Sequence, residues 1–235
     1  MTKRQFGVST GLYRDQRLTR EHLLDIAAHG FEVVEVAAAA GHFDPSNEAA
    51  VADLQQWLAE ARLDLHAVAA PRPDGAEPWN AGALGPVERA IHVARRIPVG
   101  LLVLPVGSPK SASKAVERLA DIAAPLGVTI AIDSRSPSMR PTETVVSFVE
   151  RCEARVGIAL DFATAGQGTA LVDAIETASE HLLSARVPVD SAIKWTAVMT
   201  TLQKVGYEGP FIIDAAGPSA LQSARDARER IEQAL

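Results

Sequence analysis

Residues 126–161 read LGVTIAIDSRSPSMRPTETVVSFVERCEARVGIALD. Thr129–Asp133 is a short apolar run that ends on a carboxylate. Thr142 to Cys152 follows with helical spacing of its apolar residues, and Val156–Asp161 is a second apolar run that again ends on aspartate. One strand, one helix and a second strand of the same character make a parallel βαβ unit, because strands buried on both faces read as continuous apolar runs.

The same beat runs through all 235 residues. Further strands are expected at Phe6–Thr10, Phe31–Ala37, Leu63–Ala69, Leu101–Val106, Leu182–Val187 and Pro210–Asp214. Helical spacing follows each. Leu23, Leu24, Ile26 and Ala27 carry it after the first strand, with Thr19 as N-cap and Gly30 as the stop. Val51, Leu54, Trp57 and Leu58 carry it after the second, with Ser46 near the N-cap. Pro86 to Ile97, Ser111 to Leu126, Thr169 to Ala178, Ser191 to Val205 and Ala220 to Leu235 supply the others. Eight such units can close on themselves and remove the sheet edges, so the expected fold is an α/β (β/α)8 TIM barrel, a single domain over 1–235. An open doubly wound sheet would want a glycine-rich turn after the first strand, and Ser9-Thr10-Gly11-Leu12-Tyr13 does not supply one. Residues Ala70–Gly85, rich in proline and glycine, form the longest irregular stretch and are expected to fold over the barrel mouth as a lid.

Composition narrows the function. Hydrophobic residues are 47% and charged residues 22%, with a formal net charge of −6. Such a balance suits a globular protein and speaks against a nucleic-acid or anionic-membrane surface. The N-terminus lacks an apolar segment and no run approaches a bilayer span. The single cysteine, Cys152, cannot form an internal disulfide, and a cytoplasmic location is expected.

In a barrel of this kind the working residues stand at the C-terminal ends of the strands. There the sequence places Glu35 after the second strand, Asp133 after the fifth, Asp161 after the sixth, Arg186 in the seventh and Asp214 after the eighth. These five are the candidate site residues. Converging carboxylates need a cation between them. A divalent metal or the Arg186 guanidinium could supply it, and otherwise each aspartate simply caps the following helix. Arg186 is expected to form a close, bidentate ion pair with at least one of the three aspartates. Among the histidines, His42 in GHFD is the one on the functional side; it packs the Phe43 turn or reaches the mouth.

At these strand ends the chain resembles the sugar phosphate isomerase/epimerase family, the xylose isomerase-like TIM barrels that include endonuclease IV. The resemblance rests on FGVST, HLLDIAAHGFEVVEV, LHAVAAP, APLGVTIAID, VGIALDFATA and WTAVMTTLQKVGYEGPFIID. It implies a divalent-metal site formed by Glu, Asp, His and Glu after strands five to eight, which fall here on Asp133, Asp161, Arg186 and Asp214. Asp161 alone matches outright. Asp133 and Asp214 are one methylene short, about 1.5 Å of reach, and a guanidinium has no lone pair to offer a metal. The family's LDxGH reads Leu160-Asp161-Phe162-Ala163-Thr164, and its HxxHAP reads His66-Ala67-Val68-Ala69-Ala70-Pro71. Its long loop after the seventh strand shrinks to Pro188-Val189-Asp190. The expectation is therefore a divergent, catalytically degenerate barrel with a vestigial metal site, acting as a weak sugar or polyol binder or as partner to a copy of itself or a related barrel. The alternative is an active isomerase, epimerase or lyase. It would use Asp133, Asp161 and Asp214 with a weakly bound divalent metal (Mn, Mg, Zn or Co), or Arg186 as electrophile, with Glu35 as base.

Overall fold

In the computed structural model, residues 4–71, 81–107, 109–189 and 193–234 are described. Eight parallel strands close into one barrel in sequence order: β1 (Phe6–Ser9), β2 (Val33–Ala37), β3 (Asp64–Ala69), β4 (Leu101–Leu104), β5 (Thr129–Asp133), β6 (Val156–Asp161), β7 (Leu182–Pro188) and β8 (Phe211–Asp214). The expected α/β barrel is the fold. Helices α1 (Arg20–Ala28), α2 (Glu48–Ala61), α3 (Ala81–His92), α4 (Pro109–Ala123) and α5 (Thr142–Arg151) fill the first five connections. The later connections hold α6 (Phe162–Ala165) with α7 (Thr169–Ala178), and α8 (Trp195–Lys204), before α9 (Ala220–Glu232) ends the chain. No helix among the described residues is long and apolar enough to cross a membrane.

Two local expectations need correction. Helix α3 begins at Ala81 rather than near Pro86, which lies inside it. The expected lid over 70–85 is thereby shortened, and its middle, 72–80, lies outside the described residues, as do Asp190 and Ser191 of the loop and helix expected after β7. The sequence beat missed α6, a single turn that starts as soon as β6 ends. Ser46 stands beside the cap of α2 as expected; the cap itself is Asn47, whose side chain accepts from the Ala49 and Ala50 N–H groups.

The strands' alternation splits the apolar residues into two cores. Outward-facing residues such as Val34, Val36, Ile130, Ile132, Ile158 and Leu160 pack with the helices. The inward-facing set is small: Ala67, Leu101, Val103, Ala131 and Ala159, with Ala69 and Leu183 beside them, form a separate cluster inside the barrel. Gly7 and Gly157 belong to the same economy of space. A Cβ at Gly7 would sit 2.5 Å from Val33 Cγ2, and one at Gly157 2.4 Å from Leu183 Cδ1. An interior lined by alanine and glycine leaves room for something larger, and Arg186, the largest fully buried side chain among the described residues, stands there.

Candidate functional site

Two irregularities in register shape the barrel's inner wall. Between β2 and β3, Val34 pairs with Leu65 but Glu35 pairs with Ala67, so His66 is an extra residue. Between β6 and β7, Ile158 pairs with Leu182 but Ala159 with Ser184. Bulges of this kind re-aim side chains. His66 Nε2 lies 3.3 Å from Ser184 Oγ on the opposite wall. Burial drives the His66 imidazole down to a pKa of about 4. The charge of Glu35 opposes that shift, and the charge of Arg186 adds to it.

Higher in the barrel, Glu35 and Arg186 form an ion pair across the interior, each only 1% exposed. Ser9 Oγ donates to Glu35 Oε1 at 2.9 Å, while Arg186 Nε is a buried donor without a partner among the described residues. This corrects the expectation for Arg186: its carboxylate is Glu35, and among the described residues it makes no hydrogen bond to Asp133, Asp161 or Asp214. The physical reason is space: the interior is lined by small residues, and Arg186 fills it from β7, where Glu35 from β2 meets it. Both side chains are almost wholly buried, and each is the other's charged partner.

The three aspartates do converge on the mouth, and a different arginine meets them. Arg135, two residues past the end of β5, folds back over its own strand. Its Nε lies 3.0 Å from each oxygen of Asp133, and Nη2 donates to Asp133 Oδ2 at 2.8 Å. Its backbone N–H also donates to Asp133 Oδ1 at 3.0 Å. Nη1 then crosses the mouth to Asp214 Oδ2, 3.0 Å away. Burial works to raise the pKa of Asp133, but the hydrogen bonds and charge of Arg135, with the charge of Arg186, outweigh it and hold the carboxyl below its ordinary value. For Arg135, burial works downward and is outweighed by Asp133, Glu35 and Asp214, so the guanidinium is held more firmly protonated.

Asp161 is placed differently. Its Oδ1 accepts from the Thr164 N–H at 2.9 Å, capping α6, and its own N–H donates to Ser134 Oγ at 2.8 Å. Burial raises its pKa. The Thr164 N–H and Arg135 pull it back, and the negative charges of Asp133 and Asp214 add to the rise. Among the described residues, no hydrogen bond reaches Asp161 Oδ2 or Asp214 Oδ1.

His42 forms a latch beside the mouth. Its Nδ1 is 2.7 Å from the Gln16 carbonyl, which only accepts, so Nδ1 carries the proton. Nε2 then accepts from Thr10 Oγ1 at 2.9 Å, and the same hydroxyl accepts from the Ala37 N–H at 3.0 Å. His42 therefore pins the ends of β1 and β2 rather than lining the mouth.

The arrangement does not fit a divalent metal. Among the described residues, no group of three or more His, Cys, Asp and Glu side chains is disposed to hold one. Both oxygens of Asp133 and one of Asp214 are taken by Arg135.

The chain belongs to the xylose isomerase-like TIM barrel family, whose model matches residues 23–234. No curated protein matches it in sequence. Among solved structures, D-psicose 3-epimerase from Clostridium cellulolyticum H10, crystallised with D-tagatose, superposes with a TM-score of 0.81 at 16% identity, covering 98% of this chain and 99% of that one. The 3-keto-D-glucoside 4-epimerase of E. coli in its apo form gives 0.78 at 14% identity, covering 98% and 100%. A xylose isomerase-like TIM barrel protein from Mycobacterium smegmatis, in complex with magnesium, gives 0.80 at 11% identity, covering 99% and 96%. At such identities the likeness concerns the fold.

The missed residues are Arg135, Ser9, His66 and Ser184. Arg135 stood in plain view in Asp133-Ser134-Arg135, but nothing local says whether a side chain two residues past a strand points to solvent or turns back.

Proposed function

We propose that this barrel binds a polyhydroxylated, ketose-like ligand at its mouth and does not turn it over. One observation carries the reading: of the five charged groups that the sequence offers for catalysis, all but Asp161 are engaged in internal ion pairs. Glu35 is closed off by Arg186 and Ser9, and Asp133 and one oxygen of Asp214 by Arg135. Enolisation needs a base free to take a carbon-bound proton and an electrophile free to stabilise the oxyanion. What stays open suits hydroxyl recognition instead. Asp161 Oδ2 and Asp214 Oδ1 accept, and Arg135, a quarter exposed, keeps N–H groups beyond those its carboxylates use. Sugar-binding and epimerase relatives of this fold support the ligand class.

The test uses EDTA-treated protein titrated with D-fructose, D-tagatose and D-psicose by ligand-observed NMR, with Asp214→Asn in parallel. Saturable binding weakened by the substitution is expected, and incubation in D2O should leave the sugar's C–H signals intact. Deuterium incorporation would establish an active isomerase or epimerase instead, and absence of binding to all three would reject the ligand class.

A further inference from the structure

We propose that the Arg135 guanidinium is the resident cation of the mouth, a covalently tethered substitute that closes the site to divalent metal. Three carboxylates arrive from β5, β6 and β8, and positive charge between them relieves their mutual repulsion. Arg135 supplies it. It binds both oxygens of Asp133 and reaches Asp214 Oδ2, with its side chain a quarter exposed and Asp133 almost wholly buried. A magnesium-sized ion demands about six oxygens in near-octahedral array. Only Asp161 Oδ2 and Asp214 Oδ1 are left uncommitted by the described side chains, which is too few to displace a group that also brings five fixed donors.

The tether decides the competition. Arg135 is two residues from Asp133, so its encounter with that carboxylate is intramolecular, at an effective concentration in the millimolar range or above. Its planar fork matches the carboxylate geometry, as an ammonium would not. An incoming ion would have to break these charge-assisted bonds and stand beside the displaced guanidinium. The second arginine cannot move in to help or hinder, because Arg186 is committed to Glu35. The mouth of this barrel thus carries its own internal cation.

The experiment measures Mn2+ uptake by the full chain, stripped with EDTA, from loss of the free-ion electron paramagnetic resonance signal. Wild type, Arg135→Ala, Arg135→Lys and Arg135→Ala/Asp161→Asn are compared, each verified as folded by circular dichroism. Arg135→Gln, which fills the same space without charge, stands in for any Ala variant that does not fold. Wild type should leave the signal intact at about millimolar Mn2+. With the guanidinium gone, Asp133 and Asp214 are released from the positions in which Arg135 holds them and can turn toward Asp161, so Arg135→Ala should take up about one ion per chain at least tenfold more tightly, and the double variant should lose that gain. Arg135→Lys should resemble wild type. Wild-type uptake as tight as that of Arg135→Ala, or no uptake by a folded neutral variant, overturns the proposal. Sugar binding is not read in this experiment, so its outcome stands apart from that of the ligand proposed above.

Discussion

Burying Glu35 and Arg186 takes two full charges out of water, and the barrel recovers that cost only while both are present. Removing one partner leaves an uncompensated charge in an interior of alanine, glycine and valine. Glu35→Ala or Arg186→Ala should therefore each lower the unfolding free energy by about 3–5 kcal/mol. Glu35→Leu/Arg186→Met, which replaces the pair by apolar bulk, should cost much less than the sum of the two single changes. Urea denaturation of wild type, Glu35→Leu, Arg186→Met and the double variant checks this as a double-mutant cycle, with the two Ala variants measured beside it. Additive losses would mean that the two side chains do not depend on each other. Arg186 Nε, left without a partner among the described residues, adds to the reasons why an apolar replacement is tolerated.

At the scale of the element, β6 and α6 meet at a single residue with two duties. Asp161 ends the strand and caps the one-turn helix through Thr164, yet it holds its charge close to Asp133 and Asp214. Its pKa is raised in the folded state. Between the unfolded and folded values the native protein binds more protons than the unfolded chain, so stability falls as pH rises through that window. The substitution Asp161→Asn keeps an oxygen for the Thr164 N–H and removes the charge. It should raise the melting temperature at neutral pH, and the gain should vanish below the ordinary carboxylate range, where Asp161 itself is protonated. Calorimetry at pH 7 and pH 3.5 reads both arms. A loss of stability at pH 7 would show that the charge, rather than the cap, holds the strand end.

The whole molecule is a sealed cylinder with polar groups in its axis, and that gives its stability a pH dependence. His66 is neutral inside the barrel, with a pKa of about 4 against an ordinary value of 6.5, chiefly because burial disfavours its charged form. From pH 6.5 down to about 4 the unfolded chain binds the extra proton and the folded one does not, so stability falls as pH falls across that window. The full effect is on the order of 3 kcal/mol. Wild type should lose unfolding free energy between pH 7 and 4.5 more steeply than His66→Gln, which keeps a polar group beside Ser184 without a titrating ring. Parallel slopes in urea titrations at the two pH values would refute this. The strand–helix beat, the eight apolar runs and the strand-end aspartates follow from composition and period along the chain, because parallel strands buried on both faces and their amphipathic helices each leave a local signature. Residue types likewise determined that no histidine stands at a strand's C-terminal end. The pairings were decided by closure of the barrel alone. Glu35 meets Arg186 across 151 residues, Arg135 meets Asp214 across 79 and His66 meets Ser184 across 118. Which of two arginines reaches the aspartates and which fills the interior depends on register shifts and the space left by glycine and alanine. None of these has a local signature, since each is set by the strand on the far side.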